Sequence, residues 1–382
     1  MAPRKHTWRA DLFLPDGVEL RDLPAEKKFC GEVDPADRTI HLFPRSASPI
    51  GLPTLGRVIG ADEPAPADHS LWLRVTDGKA HVCGPVVGEA VEAHVHHLAE
   101  IYERTPFAVE QMATLATSRV AMVGIGSVGS SIAEGLARAG VGAFLLADPD
   151  VVEIHNLSRH EAGLLDVGRP KAEVAARGIT RVNPMADVQI CHENIFEWSD
   201  RRLRETFEGV DLIVASADRT EVQLEANDLA LGSGVIAVFS GLYEEARGGE
   251  VFVCYPRPGS PCYACLRSSG QVPRSNHRVA YSNATGAADY EGEPGLQAGI
   301  QMVNQVSIQV VLSLLLRNHK DCGLARLVSP DRCYLLVGNA LSGGFFRFRR
   351  PFDVFFQPLK GPRSSCPECG GQGGHNRHQS GP

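Results

Sequence analysis

The stretch that decides the fold is RVAMVGIGSVGSSIAEGLARAG, residues 119–140. RVAMV is continuously apolar, as a buried strand is, and SSIAEGLARA has apolar residues at helical spacing up to Gly140. Gly124, Gly126 and Gly129 stand between the two as GIGSVG. Glycines at this position allow a tight turn and let backbone N–H groups approach a phosphate at the helix amino end. The stretch therefore predicts a strand, a phosphate-binding loop and a helix in succession.

Strand and helix patterns continue to alternate beyond this unit. The strand-like runs are AFLLAD, DVQICHENI, LIVASAD, VIAVFSG and, later, RCYLLVG and GFFRFRR. The helical patterns are KAEVAARGITRVNP, EVQLEANDLALGSG and the long apolar QMVNQVSIQVVLSLLLRNHK. Such alternation predicts an α/β fold with a Rossmann-like, doubly wound sheet. Arg347, Arg349 and Arg350 alternate with phenylalanines, which favours a strand with one apolar face over a nucleic-acid site.

The first hundred residues have a different pattern. Short alternating segments broken by proline and glycine, with the turn dipeptide Asp77-Gly78, predict a mostly β module. Apolar residues at helical spacing predict a helix over about residues 88–104. That helix would place His94 and His97 on one face, with His96 close by. A metal site there is one interpretation, and a solvated helix face is the favoured one.

Composition narrows the class of protein. The 382 residues carry 38 Lys+Arg against 45 Asp+Glu, a net charge of -7, which argues against a protein that coats nucleic acid. The sequence shows no run of eighteen apolar residues and no signal-peptide core, so we expect no membrane span, no export and a cytoplasmic location. In a reducing compartment, ten cysteines favour metal ligation or catalysis over disulfides.

The residues after the glycine loop distinguish between nucleotide chemistries. Asp148 follows the second strand, where a carboxylate can hold ribose hydroxyls in a dehydrogenase or in an ATP enzyme. Arg159 and Lys171 are cations suited to polyphosphate oxygens, and Asp218 or Asp150 is a carboxylate suited to magnesium. Hydride transfer needs no such set. The combination therefore favours an enzyme that splits ATP between its α and β phosphates.

Seven motifs carry a family resemblance: GIGSVG, DPDVVEIHNLSRH, DVGRPK, RVNP, SADRTEVQ, PCYACL and CPECG. On these motifs, the segment from about Ser118 to Gly371 resembles the ubiquitin-activating-enzyme-like family, whose bacterial members include the MoeB, ThiF and HesA adenylyltransferases. The resemblance implies ATP-dependent adenylation of the carboxyl-terminal glycine of a ubiquitin-like or sulfur-carrier protein. The predicted divisions are a mostly β module of unassigned role (1–104), an adenylation domain with both CxxC pairs (105–371) and a disordered tail (372–382).

The resemblance also implies site residues. The implied nucleotide-binding set is Gly124, Gly126, Gly129, Asp148, Asp150, Asn156, Arg159, Lys171 and Asp218. In it, Asp148 binds ribose, and Asp218 holds Mg²⁺ near the attacking carboxylate. An arginine of the neighbouring subunit completes the site in the family, which implies a homodimer. Arg104 in IYERTPF is the nearest candidate here, although its motif is degraded and its spacing to GIGSVG is shorter than usual.

Two cysteine pairs predict a metal site. Cys262 and Cys265 form one CxxC, and Cys366 and Cys369 form another about a hundred residues later. Four thiolates at this spacing suit a tetrahedral structural Zn²⁺, and the same pairs occur in the resembling family. A redox pair is the rival interpretation, but neither pair opens a helix in a thioredoxin-like context.

The remaining cysteines are Cys30, Cys83, Cys191, Cys254, Cys322 and Cys333. We predict core positions for Cys191 and Cys254, which lie on strands. Family members that form a thioester carry a cysteine after the first CxxC. The segment LRSSGQVPRSNHRVAYSNATGAADYEGEPGLQAG has none. This departure favours an enzyme that stops at the adenylate or passes it to a thiol elsewhere.

The leading hypothesis is thus an ATP- and Mg²⁺-dependent adenylyltransferase in a conjugation or sulfur-transfer system. Its partners would be the carrier protein and a conjugating enzyme or sulfurtransferase, with no nucleic acid and no membrane. Two alternatives stay open: adenylation of a ribosomally made peptide, and a catalytically silent scaffold half of a heterodimer. A nicotinamide dehydrogenase would leave NLSR, GRPK and CYACL unexplained.

Overall fold

The computed structural model describes residues 7–23, 27–67, 71–272, 295–359, 361–366 and 368–370. The chain divides into two compact units: residues 1–106 with 183–185, and residues 107–182 with 186–382. The predicted disordered tail and most of the cysteine-free segment after the first CxxC lie outside the described residues.

The first unit is a closed seven-stranded barrel of order β1-β3-β2-β4-β5-β6-β7. Its strands are β1 (Arg9–Leu14), β2 (Lys28–Asp34), β3 (Thr39–Pro44), β4 (Thr54–Ile59), β5 (Leu71–Thr76), β6 (Lys79–Cys83) and β7 (Val91–His97). Alternate side chains such as Leu12, Ile40 and Val82 point inward and form the barrel's own apolar core. The predicted hairpin turn is confirmed, since Asp77 and Gly78 join β5 to β6 with φ of 51° and 74°.

The helix predicted over residues 88–104 is wrong. The segment forms strand β7 and a short 3-10 helix, Leu98–Tyr102. β7 pairs in parallel with β1, with Ala93 opposite Ala10, and this pairing closes the barrel. The tertiary pairing satisfies the backbone of the segment and buries Ala93, which outweighs a helical apolar pattern.

The histidines of this segment are therefore arranged differently from the prediction. Side chains two residues apart lie on the same face of a strand, so His94 shares a face with His96 and not with His97. Nε2 of His96 lies 2.9 Å from Oδ1 of Asp11 on the neighbouring strand. The structure thus gives His96 a carboxylate partner that the sequence did not reveal.

The second unit is built on an eight-stranded sheet of order β10-β9-β8-β11-β12-β13-β14-β15. Its strands are β8 (Arg119–Val123), β9 (Ala143–Ala147), β10 (Asp187–Cys191), β11 (Leu212–Ala215), β12 (Ala237–Leu242), β13 (Gly248–Cys254), β14 (Tyr334–Gly338) and β15 (Val354–Phe356). The five strands from β8 to β12 are parallel, and β13 to β15 continue the sheet in antiparallel fashion. The predicted doubly wound α/β sheet is confirmed. Its order reverses between β8 and β11, where the loops after the strands leave a crevice for a ligand.

Helices and the sheet bury each other's apolar faces. The helices are α1 (Val109–Thr117), α2 (Gly129–Arg138), α3 (Lys171–Val182), α4 (Asp200–Phe207), α5 (Thr220–Ser233), α6 (Tyr263–Arg267) and α7 (Gln297–Leu315). α7 is long and apolar enough to cross a membrane, with a mean hydropathy of 1.4, but 61% of that window is buried inside the protein. It packs on α2 and on the strands from β12 to β14, as a core helix does.

The strand predicted at GFFRFRR is also wrong. Residues 343–350 form a succession of turns, and the last strand begins only at Val354, after Pro351. Phe346 has φ of 50°, which a regular strand does not allow, while Phe348 is buried. Two preceding glycines and the following proline break the alternation that the arginines suggested.

Candidate functional site

The glycine loop joins β8 to α2, and its three glycines have three different environments. Gly124 has φ of 90°, and a Cβ there would lie 2.8 Å from the amide nitrogen of Ala217. A Cβ on Gly129 would lie 2.0 Å from the carbonyl oxygen of Gly124. A Cβ on Gly126 would meet no atom within 4 Å. The outer glycines are thus required by the turn and its packing, and the middle one leaves room for a ligand at the start of α2.

Asp148 follows β9 and is only 6% exposed. Its Oδ2 accepts a hydrogen bond of 2.6 Å from the N–H of Ile125, and its Oδ1 accepts one of 2.8 Å from the N–H of Asp150. Burial raises the pKa of Asp148, and the N–H of Ile125 and the charge of Lys171 oppose this rise only in part. The carboxylate therefore lies against the glycine loop with backbone groups as its hydrogen-bond donors.

His160 is a loop-organising residue that the sequence interpretation missed. Its Nδ1 accepts a hydrogen bond of 3.1 Å from the N–H of Ala162, so Nε2 carries the proton and donates to the carbonyl of Ile125 at 2.8 Å. Burial lowers the pKa of His160, which favours the neutral ring. Asp148 and His160 thus hold the two backbone groups of Ile125. Both partners of His160 are backbone groups, so no sequence pattern could indicate the contact.

The other residues predicted to contact phosphate lie between β9 and the start of α3. The carbonyl of Asn156 accepts a hydrogen bond of 3.0 Å from the N–H of Arg159. Nζ of Lys171 lies 2.8 Å from Oδ2 of Asp150. The Lys171 side chain is 13% exposed, whereas Asp150 is 66% exposed. The structure therefore pairs Lys171 with Asp150 and presents that pair near Asp148.

Asp218 stands in the loop after β11, beside the glycine loop. Oγ of Ser216 donates to the carbonyl of Gly124 at 2.8 Å, and Nε2 of Gln223 donates to the carbonyl of Ala217 at 2.8 Å. The Asp218 side chain is exposed and makes no hydrogen bond or ion pair within the described part of the chain. β8, β9 and β11 are parallel, so Asp218, Asp148 and the glycine loop share one edge of the sheet.

Arg104 lies in an exposed turn at the end of the first unit. The predicted nucleotide-contacting residues all belong to the second unit. The role of Arg104 stays a prediction.

The two CxxC pairs come together. Sγ–Sγ distances are 3.8 Å for Cys262–Cys265, 3.7 Å for Cys262–Cys366 and 3.6 Å for Cys265–Cys369, and the four sulfurs lie within 4.8 Å of one another. Tetrahedral ligands at a Zn–S bond length of about 2.3 Å would be about 3.8 Å apart. All four thiols are buried, and the N–H of Arg363 donates to Sγ of Cys265 at 3.5 Å. The cluster fits a tetrahedral metal ion, and no other such group occurs in the described residues.

Four of the remaining six cysteines have thiols that burial makes less acidic. The core positions predicted for Cys191 and Cys254 are confirmed, since both are buried on strands. Burial raises the pKa of Cys83, Cys191, Cys254 and Cys333, the last to about 11. A raised pKa keeps a thiol protonated and weakens it as a nucleophile.

Known proteins match this arrangement. A sequence model of the ThiF family matches residues 100–333. The SAMP-activating enzyme E1 of Haloferax volcanii is 32% identical over 165 residues, which are 43% of this chain and 58% of that protein. The ubiquitin-like modifier-activating enzyme 5 of Gallus gallus is 30% identical over 210 residues, 51% of each chain. The sulfur carrier protein ThiS adenylyltransferase of Escherichia coli is 29% identical over 176 residues, 45% of this chain and 67% of that protein. For most of these relatives, the chain spans about half of their length.

Solved structures share the fold. The match to E. coli MccB has a TM-score of 0.50 at 18% identity and covers 72% of this chain and 69% of MccB. The microcin C7 biosynthetic enzyme MccB in complex with N-formylated MccA has a TM-score of 0.50 at 17% identity, covering 69% of this chain and 70% of that one. At 17–18% identity, the likeness to MccB shows a shared fold.

Proposed function

The chain belongs to the ThiF family, and from this premise we propose that it adenylates the carboxyl-terminal glycine of a small ubiquitin-like or sulfur-carrier protein at the expense of ATP. The observation that carries the proposal is the common edge of the sheet at which the glycine loop, Asp148 and Asp218 meet. Relatives named as activating enzymes and adenylyltransferases support it.

Each element of this edge has a role in the proposed binding of ATP. Backbone N–H groups at the start of α2 would donate hydrogen bonds to a phosphate beside Gly126, where no side chain intervenes. Asp148 would accept hydrogen bonds from ribose hydroxyls while it orients the loop through Ile125. Asn156, Arg159 and Lys171 would hold phosphate oxygens, and Asp150 would guide Lys171.

The proposed reaction needs positioning and charge neutralisation more than covalent help. A carboxylate oxygen of the carrier attacks the α phosphorus, the bond to the bridging oxygen breaks, and pyrophosphate leaves with the electron pair. Attacking and attacked groups are both anionic, so cations on the phosphate oxygens lower the barrier. Asp218 would hold Mg²⁺, which neutralises charge on those oxygens. Its exposed carboxylate, free of hydrogen bonds to described residues, suits that role.

We further propose that the enzyme is a cytoplasmic homodimer. Five large apolar side chains on the segment between β9 and α3 are between 42% and 88% exposed, namely Val151, Ile154, Leu164, Leu165 and Val167. Apolar residues concentrated in this way are typical of a protein interface. A second copy on this surface would supply the arginine, Arg104, that the family adds from the neighbouring subunit.

The fate of the adenylate follows from the thiols. Outside the cysteine cluster, burial raises the pKa of Cys83, Cys191, Cys254 and Cys333, which supports transfer to a thiol on another protein, either a conjugating enzyme or a sulfurtransferase. The additional barrel module favours a specialised conjugation system over minimal sulfur-carrier activation.

Exchange between ATP and pyrophosphate tests the proposed reaction. A carrier protein that ends in Gly-Gly should support exchange by the wild-type chain. Asp218→Ala should abolish that exchange and leave the circular dichroism spectrum unchanged, because the side chain contacts no described residue. Asp187→Ala is the matched control, an exposed aspartate at the start of β10, and should keep full activity. Full activity of Asp218→Ala would remove its magnesium role.

The same assay separates the alternatives. Exchange with a peptide substrate and with no carrier protein would favour a peptide adenylating enzyme, in which the barrel serves as a clamp. The match to the microcin biosynthetic enzyme, which has this fold, makes that assay worthwhile. Absence of exchange with every such substrate would favour a scaffold subunit.

The cysteine cluster is proposed to hold a structural Zn²⁺, on the strength of its spacing and burial. The ion would tie residues 366–369 to the body of the unit and contribute folding free energy. Purified chain should contain about one zinc per molecule by elemental analysis. Cys366→Ser should lose it, while Cys322→Ser should not. Unchanged zinc content in Cys366→Ser would reject the shared site.

A further inference from the structure

The residue that follows the first cysteine of the first pair is a buried tyrosine. Tyr263 is 1% exposed, and its ring stacks on Phe239 with 4.3 Å between the ring centroids and an angle of 10°. Packing of this kind is equally available to phenylalanine. The hydroxyl group therefore needs a separate explanation.

Helix α5 holds Tyr263 at two points. The hydroxyl donates a hydrogen bond to Oε1 of Gln223, and the backbone N–H donates to Oδ1 of Asn227 at 2.8 Å. Gln223 and Asn227 are four residues apart, so they lie on one face of α5, and both are buried.

The contact continues to the loop that carries Asp218. The other end of the Gln223 amide, Nε2, donates to the carbonyl of Ala217 at 2.8 Å. That carbonyl belongs to the peptide group between Ala217 and Asp218. The preceding peptide nitrogen packs against Gly124, at the position where a Cβ would be only 2.8 Å away. Ala217, the residue that precedes Asp218, thus packs against the glycine loop through its nitrogen and is held by Gln223 through its carbonyl.

The structure therefore contains a hydrogen-bonded path from the cysteine cluster to the loop of Asp218. We propose that Tyr263 is a positioning residue that couples the backbone of the cysteine cluster to Mg²⁺ and ATP binding at the loop of Asp218. Cys262 and Cys265 fix the backbone on either side of Tyr263, the hydroxyl orients the Gln223 amide, and that amide orients the Ala217 carbonyl. This inference rests on the proposed magnesium role of Asp218.

Tyr263→Phe tests the inference because it removes the hydroxyl and keeps the ring. ATP binding is measured by isothermal titration calorimetry over a series of Mg²⁺ concentrations, and zinc content by elemental analysis. We expect the Mg²⁺ concentration that gives half-maximal ATP affinity to rise about three- to tenfold, the size of one net hydrogen bond, with zinc content unchanged. Gln223→Met should produce a similar rise, and the double variant should exceed neither single variant by much, because both break one path.

Tyr334→Phe is the matched control. Tyr334 is equally buried, and its hydroxyl donates to Glu250 at 3.0 Å and makes no hydrogen bond to α5 or to the described loop of Asp218. Its loss should lower the melting temperature without changing the Mg²⁺ dependence. An unchanged Mg²⁺ dependence in Tyr263→Phe, with Mg²⁺-dependent ATP binding by the wild type, would overturn the coupling alone. Failure of the wild type to bind ATP with Mg²⁺ would instead overturn the proposed function, and with it this inference.

Discussion

Asp11 in the barrel and Asp148 beside the glycine loop have similarly small exposed fractions, 3% and 6%, but their surroundings shift their pKa values in opposite directions. Asp11 accepts hydrogen bonds of 2.8 and 3.0 Å from Arg9 and one of 2.9 Å from His96. Burial raises its pKa, but these partners outweigh burial and lower the pKa overall. At Asp148 burial prevails, because its donors are backbone N–H groups and Lys171 already pairs with Asp150.

The difference separates a structural carboxylate, Asp11, from Asp148, the carboxylate that we propose binds ribose. The charge of Asp11 is neutralised within its own sheet. The contact with His96 links β1 to β7, so this carboxylate stabilises the fold. The hydrogen-bond donors around Asp148 compensate its charge only in part. A ligand that donates further hydrogen bonds would compensate the rest. A buried acid with a raised pKa beside an open loop is therefore a better sign of a binding site than burial alone.

The largest effect is expected for Asp148→Asn. The amide cannot accept from the ribose as strongly as a carboxylate, and its NH₂ group faces the N–H donors of Ile125 or Asp150. We expect ATP affinity to fall roughly 100-fold, since hydrogen bonds to charged groups contribute about 1.5–3 kcal/mol. Isothermal titration calorimetry measures this, with Asp11→Asn as the control that should bind ATP within about twofold of wild type. An equal loss of ATP affinity in both variants would contradict the proposed difference between the two carboxylates.

A smaller effect of opposite kind is expected for Asp11→Asn. The variant breaks the pair with Arg9 and weakens the contact with His96, so the free energy of unfolding should fall by about 1–3 kcal/mol. Asp148→Asn should cost less without nucleotide, because burial already disfavours the ionised carboxylate, and removing that charge offsets part of the loss from the amide that faces an N–H donor. Thermal unfolding at neutral pH compares them. A larger loss in Asp148→Asn would contradict the assignment of structural and functional carboxylates.

The smallest effect concerns pH. The folded pKa of Asp11 is lowered, so its contribution is complete above the unfolded value of about 3.9 and is lost as pH falls through the folded pKa. The stability difference between wild type and Asp11→Asn should therefore shrink on acidification from pH 7 to 3. For Asp148 the folded pKa is raised, so its penalty is present at neutral pH and disappears in acid. Chemical unfolding across this range should give two differences of opposite slope, and parallel slopes would count against the pKa directions.

The α/β unit was predictable because its signals are local. The run of residues 119–140 contains a strand, a turn that only glycine allows and a helix, and each depends on neighbours in sequence. The two errors arose where distant pairing decides the structure. β7 had helical apolar spacing but forms the closing strand of the barrel, and GFFRFRR alternates correctly but is interrupted by a positive φ at Phe346.

In the candidate site too, some residues could be predicted from the sequence and others could not. Charged and glycine residues of the motifs were predicted, because their chemistry is visible in the residue type. His160, Gln223 and Tyr263 were missed, because their hydrogen bonds run to backbone groups and amides that only the folded chain brings near. Each of the three lies in one of the quoted motifs, but its residue type alone does not indicate which group it contacts in the folded chain.

The positions of the cluster's cysteines determine when, during synthesis, the cluster can be completed. Cys262–Cys366 and Cys265–Cys369 each join residues 104 positions apart. At about 5–20 residues per second, the ribosome makes the second pair roughly 5–20 s after the first. During that interval the first pair can offer an ion only two sulfurs, while the glycine loop is already complete. An ion bound as proposed would therefore have all four sulfurs only after Cys369 has emerged. Metal binding would then mark a finished domain, and a chain broken off before Cys366 would lack that mark.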